Sequence, residues 1–96
     1  MNKLSELGEV KIGGIRCNIS CEDISNVSGN AMGRLNMKRG KLLIQSNMSE
    51  ENKELVILHE IIHAIGDMNG LELKENQVLS LESGLYQVLK DNDLIR

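Results

Sequence analysis

The two histidines of this 96-residue chain stand four apart, in the run His59-Glu60-Ile61-Ile62-His63. On an α-helix of 3.6 residues per turn both imidazoles lie on one face, where their ring nitrogens can converge on a single tetrahedral ion. Glu60 is rotated about a quarter turn from His59 by the same period. From there a carboxylate can reach a water held by the ion without displacing it, as a general base for hydrolysis must. The HExxH pattern therefore predicts His59 and His63 as metal ligands, Glu60 as catalytic base and Zn2+ as cofactor. The plain alternative is a structural His/Glu/His cluster. Against it, Leu55, Val56, Ile57, Leu58, Ile61, Ile62, Ala64 and Ile65 clothe nearly every side of the helix and predict a buried central position. Two imidazoles and a carboxylate are costly there unless a metal or hydrogen bonds compensate.

The elements that must hold these groups read as an α+β fold in one domain over residues 1–96. Residues 1–8 are a lead-in with one helical turn. Val10–Ile12 and Ile15–Ile19 are β-branched runs broken by Gly13-Gly14, a hairpin. Cys21–Gly29 is loop. Ala31–Met37 and Lys41–Ser46 flank Arg39-Gly40, a second hairpin. The sheet region, about 9–46, is expected to be antiparallel. Ser49 with Glu50 and Glu51 opens the HExxH helix, about 49–67, because a serine caps free amides and early carboxylates suit the helix dipole. Gly66 or Asn69-Gly70 ends it, and Gly66 is the preferred end. A second helix runs from about 75 to 90 and packs antiparallel on the first.

A catalytic zinc held by two histidines needs a third protein ligand, and no third histidine exists. Winding the second helix at 100° per residue gives an apolar arc of Val78, Leu81, Leu85, Val88 and Leu89. Glu75 and Glu82 fall on or beside it. Glu75 has an ordinary explanation in the helix dipole, and Glu82 could cover the core edge with its stem. They lie about 10.5 Å apart along the axis, so only one can bind the ion, and the level of a tight hairpin leans to Glu82. His59 to Asn69 also reads HExxHxxGxxN, a metzincin pattern with Asn69 for its last histidine. A neutral amide is a poor zinc ligand and no Met-turn follows, which excludes that class. Asp67, one turn past His63, is either an outer partner of that ring or a helix-end surface residue. Tyr86 is either an oxyanion donor or a packing residue.

The His59–His63 run followed by Glu75-x-x-Val78-x-x-Leu81-x-x-x-Leu85 resembles zincin metallopeptidases of the ImmA/IrrE type, and especially the very small HExxH proteins of phage and prophage sequences. The likeness covers roughly residues 31–92 and rests on one specific motif. It implies a minimal, gluzincin-like zincin fold in which Glu75 is the third ligand, a small residue matches Glu82, and an edge strand beside the motif helix pairs with substrate. Here that strand would be Lys41–Ser46. The spacing from His63 to Glu75 is shorter than the family's.

Composition narrows the partners. A net charge of −3 with no block of like charges gives no nucleic-acid footprint. The apolar runs are too short to span a bilayer, and Met1–Val10 lacks the pattern of a secretory signal, so a cytoplasmic protein is expected. Cys17 and Cys21, about 13 Å apart if both lie on one strand, read as buried free thiols. Two functions remain. One is a zinc metallopeptidase acting on a peptide or protein substrate. The other is a non-enzymatic, zinc-binding or inactive regulatory module of a phage or mobile element. The small surface available favours the module, or an enzyme directed by a larger partner protein.

Overall fold

The computed structural model describes residues 3–23 and 32–95. It is an α+β fold in which a four-stranded sheet packs on the first of two helices, and the second helix packs on the first. A 3-10 turn, Leu4–Glu6, precedes β1 (Glu9–Ile12), β2 (Ile15–Glu22), β3 (Gly33–Asn36) and β4 (Lys41–Gln45); α1 (Glu50–Met68) and α2 (Glu75–Asp91) follow. Gly13 and Gly14, both at positive φ, turn β1 into β2, and Gly40 at φ +63° turns β3 into β4, as the sequence predicts. Of the expected loop, 24–29 lie outside the described residues, as does Ala31. Cys21 and Glu22 extend β2 instead.

The sheet is mixed, which corrects the antiparallel expectation. Its order is β1-β2-β4-β3, with β2 and β4 parallel and the other two pairs antiparallel. Two hairpins do not dictate how they join. Here β4 slots between β2 and β3, and its inward pair, Leu42 and Ile44, is wholly buried in the centre. Consequently β4 is not an edge strand, contrary to the expectation for Lys41–Ser46; β3 is the free edge beside α1. At its start, a Cβ on Gly33 would come 2.5 Å from Val56 Cγ1, so glycine permits the close approach of strand and helix.

The core is small: Ile12, Cys17 and Ala64 form one cluster, and Leu42, Ile44 and Ile57 another. Both cysteines are free thiols, but only Cys17 is buried. Cys21 shares its parity on β2 yet lies near the strand's end, where it is exposed.

Ser49 caps α1 by accepting from the Asn52 amide at 3.2 Å. The helix runs through Gly66 and stops at Asn69-Gly70, so Gly66 is not its end. Gly70, at φ +69°, takes the left-handed position, with Leu71 N–H donating to Gly66 C=O at 2.8 Å and Gly70 N–H to Asp67 C=O at 3.3 Å. Those paired bonds are a Schellman stop. Gly66 has another use. A Cβ there would lie 2.9 Å from Leu73 Cδ1, so its absence lets the linker fold back along the last turn of α1.

The seam between the helices is polar. α2 buries Val78 and Glu82, while Leu81, Leu85 and Val88 are 51, 43 and 53% exposed. Of the predicted apolar arc, Val78 is thus buried while Leu81, Leu85 and Val88 are left exposed. The face turned to α1 carries Glu75, Glu82, Tyr86 and Lys90, because partners for each of them lie on α1.

Candidate metal centre

Folding back the linker starts α2 at the level of the two histidines rather than beyond the end of α1. One carboxylate then reaches both rings. Glu75 Oε1 lies 2.9 Å from His59 Nε2, and Glu75 Oε2 lies 3.2 Å from His63 Nε2. One ligand atom from each of the three residues falls within 4.8 Å of the others, and the two rings stand edge to face with centroids 4.8 Å apart. The donor set suits zinc in kind, two imidazole nitrogens and a carboxylate oxygen. Bonds of about 2.0–2.1 Å put tetrahedral ligands about 3.3 Å from one another, close to the two Glu75–histidine distances of 2.9 and 3.2 Å.

Glu82, which the hairpin level favoured as ligand, takes a different place. Its Oε1 lies 2.7 Å from His59 Nδ1, the ring nitrogen that faces away from Glu75. Glu82 is buried at 6% exposure, whereas the Glu75 side chain is 62% exposed. The arrangement thus separates the two carboxylates by role of contact: Glu75 converges with both Nε2 atoms, and Glu82 holds the back of one ring.

Glu60 is half-buried and lines the same cleft, a space of about 390 Å³ whose walls include Met32, Gly33, Val56 and Leu79. Burial pushes its carboxyl above the ordinary value of 4.5; the His59 and His63 rings pull it down, and Glu75 adds to the rise. The motif residues His59, Glu60 and His63 and the resemblance-implied Glu75 are therefore brought together.

Tyr86 and Asp67 are not. The Tyr86 hydroxyl donates to Glu54 Oε1 at 2.7 Å, and both line a separate groove of about 680 Å³. Asp67 is exposed at the end of α1 and contributes its carbonyl to the helix stop. Sequence reasoning missed Glu54, which is 3% exposed. It accepts from the Tyr86 hydroxyl and from the Ser5 amide at 3.3 Å, with Lys90 Nζ 3.5 Å away. The signal was present: Glu54 sits one turn before the apolar pair Ile57 and Leu58, as misplaced for a solvated face as Glu82.

No known protein family, curated protein or solved structure matches this chain. Among the described residues, no helix is long and apolar enough to cross a membrane.

Proposed function

We propose that the chain is a zinc-dependent peptidase in which His59, His63 and Glu75 hold the ion and Glu60 is the general base. The observation that carries this reading is the convergence of one Glu75 carboxylate on the Nε2 atoms of both motif histidines. When bound, zinc supplies a Lewis acid that polarises a carbonyl and makes water acidic enough to ionise near neutral pH. Glu60 takes the proton of the attacking water and returns it to the departing amine nitrogen. The described residues offer three donors to this cluster, the number that leaves a catalytic zinc one open position.

The edge strand β3 is the element suited to hold an extended peptide. Gln45 N–H donates to Met32 C=O at 2.9 Å, so by antiparallel alternation Arg34 also faces β4, while Gly33 and Leu35 turn their backbone N–H and C=O outward. A peptide strand added there gains backbone bonds. Met32, Val56 and Leu79 offer apolar contact beside Glu60.

A second reading, zinc as a staple without catalysis, draws support from the ligand distribution. Two ligands come from α1 and one from the first turn of α2, so an ion would tie together two helices whose seam is polar. Replacing Glu60 by glutamine separates the readings. As a peptidase, the zinc-loaded Glu60→Gln variant keeps about one zinc per chain and loses cleavage of a peptide library that the parent cuts. A parent that binds zinc and cuts nothing in the library supports the staple.

A further inference from the structure

We infer that Glu82 is a positioning residue for the metal centre: it holds the His59 ring through Nδ1 so that Nε2 faces Glu75 and His63. The inference rests on the zinc reading for its consequence, but its geometry stands apart from it. Glu82 Oε1 is 2.7 Å from His59 Nδ1, and the Glu82 side chain is 8% exposed. A neutral imidazole that holds an ion through Nε2 carries its ring proton on Nδ1, and Glu82 Oε1 is placed to accept it. Nε2, on the opposite edge of the ring, faces the Glu75 carboxylate at 2.9 Å. A ring free to flip or to change tautomer would present the wrong atom part of the time.

The fold explains why this carboxylate is placed to do so. Glu82 lies two turns after Glu75 on α2, on the same face, and the polar seam turns both toward α1. Glu75 reaches the front edge of the His59 ring while Glu82 reaches the back. Burying a carboxylate is costly unless it is hydrogen-bonded. Here the His59 Nδ1 atom is its partner, in a helix interface where an apolar residue would pack at no such cost. Ligand histidines commonly give their second N–H to a carboxylate, and loss of that partner lowers metal affinity about 10–100-fold.

The test uses full-length protein with Glu82→Gln, Glu82→Leu and Glu75→Gln variants, zinc alone as the probe in chelator competition, and nitrogen NMR of the two histidine rings. Glutamine keeps an acceptor for Nδ1–H, so Glu82→Gln retains the Nδ1-protonated ring and loses less affinity than Glu82→Leu. Glu82→Leu loses about 10–100-fold in zinc affinity while still binding one ion. Its metal-free His59 loses the protected Nδ1–H, and its His63 resonances stay in place. Unchanged His59 resonances in Glu82→Leu overturn the inference. So does a loss of zinc stoichiometry as complete as in Glu75→Gln, which would make Glu82 a ligand. If the parent protein binds no zinc, the functional reading fails, and the ring resonances of the metal-free proteins still decide whether Glu82 orients His59.

Discussion

Replacing Tyr86 by phenylalanine probes the polar seam on which the placement of α2 depends. The change deletes one oxygen, the hydroxyl that donates to Glu54 Oε1 at 2.7 Å. Glu54 is 3% exposed, so little of its carboxylate meets water in the parent protein. The partners it retains are weaker: the Ser5 amide at 3.3 Å and Lys90 Nζ at 3.5 Å, on a lysine 36% exposed and therefore screened. A hydrogen bond to a charged group contributes about 1.5–3 kcal/mol, and a value of about 2 kcal/mol is expected here. For a domain of this size each 1 kcal/mol moves Tm by about 4–8 °C, so Tyr86→Phe should melt about 8–16 °C lower. Thermal and urea unfolding followed by circular dichroism measure it, with the urea slope unchanged because the same surface is exposed. Zinc content should stay at the parent value, since the hydroxyl faces Glu54 and not the histidines. Adding Glu54→Leu should recover part of the loss, because removing both partners of a buried bond costs less than removing one. A fall in Tm below about 2 °C, against the range expected from the hydrogen bond, refutes the reasoning.

The same phenol gives a pH signature. Burial first, then the Glu54 hydrogen bond, then the charges of Glu54 and Glu51 hold the Tyr86 hydroxyl above its ordinary value of 10.0. Because the folded value lies above the unfolded one, this contribution to stability is complete below pH 10 and declines as pH rises beyond it. Phenolate absorbance of the sole tyrosine should therefore be absent from folded protein at pH 10, and half-ionisation there would contradict the burial. Gly66→Val should destabilise by about 1–3 kcal/mol and weaken zinc binding. It drives a side chain into Leu73, and with it the linker that sets the level of Glu75; unchanged zinc affinity would disconnect linker from site. A thiol reagent should modify Cys21 in native protein and reach Cys17 after unfolding; mass spectrometry showing Cys17 labelled first would contradict the core.

What could be read from the sequence was carried by local signals. Ser49, Gly13-Gly14 and Gly40 each state their turn or cap within a few residues, and the structure uses all of them. The insertion of β4 between β2 and β3 pairs segments more than twenty residues apart, and no short-range pattern specifies it. The spacing of His59 and His63 placed both rings on one face. The choice between Glu75 and Glu82 depended on where α2 begins, and that is set by Leu73 lying over Gly66. A tight hairpin, which favoured Glu82 on level, was the wrong geometry for a linker that doubles back. The apolar arc of α2 misled at Leu81, Leu85 and Val88, though not at Val78, for a related reason. Hydrophobic winding assumes the neighbour is apolar, whereas α1 presents His59 and Glu54 to it. The misplaced charges Glu54 and Glu82 were the better guide to that seam than Leu81 or Leu85.

The most direct test of the central claim is a crystal structure of zinc-loaded protein with anomalous diffraction at the zinc edge. One ion is expected on His59 Nε2, His63 Nε2 and a Glu75 oxygen, with the fourth position open to solvent, Glu60 beside it and Glu82 still on His59 Nδ1. An ion bound through Glu82, an ion closed by four protein ligands, or no ion at the two histidines would contradict that claim.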